Sequence, residues 1–192
     1  MRAPFIVGFG GTTRPGSSGE RLVAAVLASC ETAGARTTLF GGSELAKLPL
    51  YAPDNVTRTE EQRAFLAAVR AADGLVIGTP AYHAGVSGLV KDAIDLLEDT
   101  RGDERVYFDG LPVGIVVTAA GWQAGGVTLS ALRGIVHAMR GWPTPLAIAV
   151  NTVAETVFGE DGYVNAPSAR SAIAMQASQI MRIAKVACAE QH

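Results

Sequence analysis

The chain has 192 residues, 48% of them hydrophobic and 18% charged, and sixteen Lys+Arg against eighteen Asp+Glu leave a formal net charge of −2. So many aliphatic residues with so little net charge exclude an intrinsically disordered chain, and the lack of a basic excess argues against a dedicated nucleic-acid binder. The length fits one domain, 1–192, which can bury most of its unfolded surface without a metal or disulfide staple.

Phe5 to Phe9 reads as a buried strand, followed by a polar glycine loop from Gly10 to Gly16. Leu22, Val23, Val26, Leu27 and Cys30 then recur at helical spacing, with Ser17 and Glu20 as a capping-box start and Gly34 as a stop. Thr37 to Phe40 forms a second strand, and 41–58 reads as a long loop. Thr59 and Gln62 open another helix, whose apolar face is Phe65, Leu66 and Val69. A third strand, Gly74 to Gly78, is expected to break at Thr79-Pro80. Leu89 to Leu97 is helical, Pro112 to Thr118 is a strand buried on both faces, and Leu129 to Met139 is helical again. Leu146 to Val150 makes the fifth strand, and the run through Ile173, Ile180 and Ile183 makes a last helix behind Pro167.

This βαβαβαβαβα order predicts an α/β fold: a doubly wound five-stranded parallel sheet with helices on both faces, of flavodoxin-like order 2-1-3-4-5. Ligands bind such sheets at the carboxyl ends of the strands, where the order reverses. That places the loops 10–17 and 79–87 at the expected site, and they are also the most unusual stretches of the sequence.

The two cysteines, Cys30 and Cys188, are too few and too far apart for a disulfide framework or a zinc site. The N-terminal apolar run meets Gly8 too early for a signal peptide. Leu111 to Ala120 is about half of the ~20 residues that a membrane span needs. A cytoplasmic protein with no membrane partner is expected.

The first loop joins a strand to a helix start, where free N–H groups and the positive helix end favour an anion. Thr12, Ser17 and Ser18 add hydroxyls, and Arg14 adds a guanidinium fork. Gly11 and Gly16 match the ends of a P-loop, but Ser17-Ser18 stands where Lys and Ser/Thr are required. Gly8 and Gly10 begin a dinucleotide fingerprint whose third glycine is replaced by Thr13. A single terminal phosphate remains the better guest; an ordinary glycine-rich turn is the alternative. In the second loop, Pro80 stiffens the turn, Gly85 and Gly88 permit close approach, and Tyr82 offers an aromatic face, to a flat ring or simply to packing. After the fourth strand, Thr118 to Gly126 reads as a flexible glycine-rich bridge; Trp122 can stack on a ligand, be buried or meet another subunit. Cys30 and Arg36 carry a phosphatase spacing, but Cys30 sits on an apolar helix face. His83, His137 and His192 have no metal spacing, and His137 reads as a packed or capped histidine.

With these motifs the sequence resembles the NADPH-dependent FMN reductase family, over roughly residues 4–150. Gly11-Thr12-Thr13-Arg14 with Ser17 is similar to that family's opening Gly-Ser-x-Arg pattern. Leu48-Pro49-Leu50-Tyr51 is similar to its Leu-Pro-x-Tyr segment. Thr79-Pro80-Ala81-Tyr82 and Ser87-Gly88-Leu89-Val90-Lys91, with Asp95, follow its central signature. The chain departs from the pattern at Gly19, Ala81 and His83, where many members carry Asn, Glu and Asn. The resemblance implies that Thr12, Arg14, Ser17, Ser18, Gly19 and Leu22 surround the phosphate of FMN. It implies that Pro80, Ala81, Tyr82 and His83 border the isoalloxazine ring, and that Thr118, Ala119, Ala120, Gly121 and Trp122 close over it. NADPH or NADH would supply hydride, and a small-molecule acceptor or a partner monooxygenase would take the electrons. No catalytic side chain and no metal is implied, and a homodimer or homotetramer is. An FMN electron carrier of flavodoxin type and a non-catalytic flavin-binding regulatory module are the alternatives.

Overall fold

The computed structural model describes residues 2–190; His192 lies outside them. In chain order the elements are β1 Phe5–Gly10, α1 Ser18–Thr32, β2 Arg36–Phe40, α2 Gly42–Leu45, α3 Glu60–Ala71, β3 Gly74–Tyr82 and β4 Gly85–Val86. Then come α4 Gly88–Leu96 with a 3-10 turn Leu97–Thr100, β5 Pro112–Ala119, α5 Trp122–Ala138, β6 Trp142–Pro143, β7 Ile148–Asn151 and α6 Pro167–Glu190.

The sheet runs β2-β1-β3-β5, with β6 and β7 both parallel to β5 on its far side. The predicted parallel order is thus present, but the sheet has seven strands, not five. One addition is the antiparallel hairpin strand β4 against the end of β3. The other is the division of the fifth position into β6 and β7. Pro143 and Pro145, alternate residues without an N–H, cannot sustain a ladder there. The chain leaves β5 opposite Ile115, and the buried amide of Gln176 on α6 donates to the Ile115 carbonyl at 3.0 Å and to that of Leu146 at 3.2 Å.

Alternate residues of the sheet feed two separate cores. Val7, Phe9, Leu75, Ile77, Val113, Ile115 and Val117 pack with α3, α4 and α5. Ile6, Val76, Val116, Ile148 and Val150 pack with α1 and α6. Strand residues are therefore buried on both faces, as a parallel sheet under two helix layers requires. The second layer lies unusually close. A Cβ on Gly78 would stand 2.5 Å from Val23, and one on Gly114 would stand 2.8 Å from Ile180.

Three local readings change. β3 does not break at Thr79-Pro80 but continues to Tyr82. Its pairing with β1 ends at Gly78, so Pro80 falls where one edge of the strand is already open. The stretch after β5 is not a flexible bridge, because α5 begins at Trp122. His137 is exposed on α5 rather than packed.

Candidate functional site

The carboxyl ends of β1, β3 and β5 open onto a cleft of about 490 Å³. From the first loop it takes Gly11, Thr12, Arg14, Ser17, Ser18 and Gly19; from the second, Pro80, Ala81, Tyr82 and His83; from the third, Thr118, Ala119 and Ala120, with Thr152 beyond β7. Three predicted residues do not line it. Leu22 is fully buried one turn into α1, in the core with Val23 and Val26. Gly121 is the N-cap of α5, and Trp122 begins that helix with 61% of its surface exposed. Gly11 and Thr152 were not among the expected site residues. Thr152 follows the fifth strand at the same sheet edge, which is the signal that could have found it once that strand is drawn to Asn151.

The first loop is shaped by its own hydroxyls. The Thr12 Oγ1 accepts from the Arg14 N–H at 3.2 Å, folding the loop into a turn. Ser17 Oγ accepts from the Glu20 N–H at 3.4 Å and so caps α1. The backbone N–H groups of Ser17, Ser18 and Gly19 have no acceptor among the described residues, and no hydrogen bond or ion pair engages the Arg14 guanidinium. These donors converge on the positive end of a helix of 15 residues, an arrangement suited to an anion.

The second loop is a two-residue hairpin. His83 and Ala84 both adopt left-handed backbone angles, φ 52° and 59°, at a turn where Asn-Gly is the usual solution. The fully buried Thr79 holds this hairpin from below: its Oγ1 accepts from the Ser87 N–H at 3.0 Å and donates to the Pro80 carbonyl at 3.0 Å. Ser87 in turn caps α4 through Val90. Thr79 and Ser87 therefore build the loop, while Tyr82 and His83 stand exposed at its rim. The other motif residues also act as ties. Asp92 Oδ1 accepts from the Tyr51 N–H at 2.9 Å, and Lys91 pairs with Asp95 on the surface of α4.

The ionisable side chains on the cleft wall are Arg14, Tyr82 and His83, so the wall carries no carboxylate. At Gly19 an added Cβ would lie 3.6 Å from Thr118 Oγ1, filling the gap between the first and third loops. Basic and neutral donors beside a wall without carboxylates suit a ligand that carries an anionic group. Among the described residues there is no cluster of three or more side chains able to hold a metal, and no helix is long and apolar enough to cross a membrane. Burial pushes the Cys30 thiol up to about 12, so it is no nucleophile and the phosphatase reading fails.

A model of one family, NADPH-dependent FMN reductase, matches residues 4–155, which span all three loops. The chain belongs to the NADPH-dependent FMN reductase family. An FMN-dependent NADPH-azoreductase of Staphylococcus aureus is 37% identical over 97 residues, 50% of this chain and 47% of that protein. The chain thus matches about half the length of these curated relatives. Among solved structures, an oxidoreductase from Corynebacterium diphtheriae superposes with a TM-score of 0.75 at 23% identity, covering 95% of this chain and 97% of that one. The flavoenzyme NAD(P)H:(acceptor) oxidoreductase from Paracoccus denitrificans gives 0.74 at 18% identity, covering 94% and 98%. At such identities these two likenesses establish the flavodoxin-like fold of this family member.

Proposed function

We propose that this family member is an NAD(P)H-dependent FMN reductase, an enzyme in which the chain forms one flavin-binding domain. The observation that carries the reading is the set of unengaged donors at the start of α1, facing a carboxylate-free cleft inside the family-matched stretch. FMN bound in this cleft would supply the redox chemistry, with NADPH or NADH as the hydride donor. The protein binds and orients. The N–H groups of Ser17, Ser18 and Gly19, the Ser18 hydroxyl and the Arg14 fork hold the phosphate. Thr12 shapes that loop, and Pro80, Ala81, Tyr82 and His83 border the ring. Thr118, Ala119 and Ala120, at the end of β5, line the same cleft and would close over the ring. No side chain has to move a proton for hydride transfer.

The acceptor in this reading is a small molecule such as a quinone, an azo compound or a metal ion, or the reduced flavin passes to a partner monooxygenase. A homodimer or homotetramer belongs to the same reading, supported by the exposed Trp122 and Val127 on α5. A cytoplasmic location fits two cysteines that are both free. The test is anaerobic: protein and FMN are mixed with NADPH, then separately with NADH, and the flavin absorbance is followed. Bleaching much faster than without protein is expected. A spectral change on binding without bleaching would indicate a carrier or regulatory module, and no change at all would remove FMN.

A further inference from the structure

We propose that Glu20 is a positioning residue: it braces the phosphate loop from behind and leaves the α1 cap open to the ligand. The inference rests on the flavin reading above and goes beyond it. The chain contains two capping-box signals, and they fold differently. At α3 the box closes: Gln62 donates its N–H to Thr59 Oγ1, and Thr59 donates its N–H back to Gln62 Oε1 at 3.1 Å. At α1 only the first half forms. Glu20 turns away from the Ser17 N–H, and its Oε2 instead accepts from the Gly42 N–H at 2.9 Å. Glu20 thereby caps α2, which has no side-chain cap of its own, and the Ser17 N–H stays available.

The packing around Glu20 is specific to this detour. A Cβ on Gly41 would stand 2.9 Å from the Glu20 carboxyl, and one on Gly11 would stand 3.1 Å from its Cβ. A Cβ on Gly42 would fall 1.7 Å from the Thr12 carbonyl oxygen. The carboxylate is wedged between two bare backbone positions, and the turn it anchors presses directly on the loop that carries Thr12 and Arg14. Loss of the brace frees that loop, which withdraws phosphate donors and leaves the ring site as it was.

The test compares FMN with riboflavin, which lacks the phosphate, by flavin titration of wild type, Glu20→Ala, Glu20→Gln and Gln62→Ala. Wild type is expected to prefer FMN. Glu20→Ala is expected to weaken FMN about tenfold and riboflavin by less than about twofold. Glu20→Gln keeps an acceptor oxygen for Gly42 and is expected to restore FMN affinity to within about threefold. Gln62→Ala, which opens the other box, is expected to lower thermal stability without changing the FMN-to-riboflavin ratio. If Glu20→Ala does not fold, Glu20→Asp keeps the charge but shortens the reach to the Gly42 N–H and should lower the same ratio. The proposal is overturned if Glu20→Ala weakens both ligands equally, if it strengthens FMN, or if Glu20→Gln behaves like Glu20→Ala. Wild type that binds both ligands equally well overturns the phosphate role alone. Wild type that binds neither overturns the flavin reading, and the brace with it.

Discussion

Arg14 is a guanidinium on an exposed loop with no hydrogen-bond or ion-pair partner among the described residues. A charge-assisted hydrogen bond to a phosphate is worth about 1.5–3 kcal/mol, so Arg14→Ala should weaken FMN roughly tenfold to a hundredfold. Calorimetric titration checks this, and unchanged affinity would mean that the anion does not sit there. Ala84 poses the opposite case, a side chain in a backbone region that glycine fills without strain. Its φ of 59° follows that of His83 in the same turn. Ala84→Gly should therefore raise stability by about 0.5–1 kcal/mol, read from the midpoint of urea unfolding. Lower stability would show that the Ala84 methyl gains more from packing than it loses to strain.

Elements rest on residues that the local pattern does not reveal. The division between β6 and β7 is tolerable because Gln176 reaches across from α6 to two carbonyls that the strand has abandoned. Gln176→Ala takes this donor from the Ile115 carbonyl, while the Leu146 carbonyl keeps the Thr144 hydroxyl, and should destabilise the protein by about 1–3 kcal/mol. Denaturant melts would register the loss, whereas a change under 1 kcal/mol would imply that water replaces the amide. The two capping boxes make the same point. Ser17-x-x-Glu20 and Thr59-x-x-Gln62 both mark a helix start correctly, yet only the second closes. Which donor Glu20 meets is set by Gly42, 22 residues away.

At the scale of the whole molecule, ion pairs fasten loops and the N-terminal segment to the sheet layers. Arg2 donates to both carboxylate oxygens of Asp73, at 2.5 and 2.7 Å, and the Phe5 N–H donates to the same group at 2.8 Å. Burial works to raise the Asp73 carboxyl, but these hydrogen bonds outweigh it and hold it below its ordinary value. Paired hydrogen bonds from Arg58 likewise hold Asp99 down. A carboxyl depressed in the folded state adds stability that is complete above its unfolded value, near pH 4, and is lost as pH falls through its folded value. The midpoint of thermal unfolding should therefore fall progressively below about pH 4. Asp73→Asn should be less stable at neutral pH and should lose less than wild type on acidification. Parallel acid profiles for the two proteins would show that Asp73 carries none of this dependence.

The sequence by itself determined the alternation of strands and helices, the two faces of the sheet and the edge at which the cleft opens. Those follow from apolar periodicity, which the chain cannot satisfy in another way, and from the right-handedness of crossovers. It also showed the loops 10–17 and 79–87, because glycine, proline and hydroxyl residues there serve no core. Tertiary structure alone decided the extension of β3 through Pro80, the split fifth strand, the early start of α5 and the place of Thr152 in the cleft. For β3, the split strand and Thr152 the deciding partner is distant in sequence. β1 ends beside Gly78, α6 supplies an amide to Ile115, and the Ala119 carbonyl accepts from Thr152. Buried polar groups must find partners wherever the fold offers them, and neighbours in sequence carry no record of that choice.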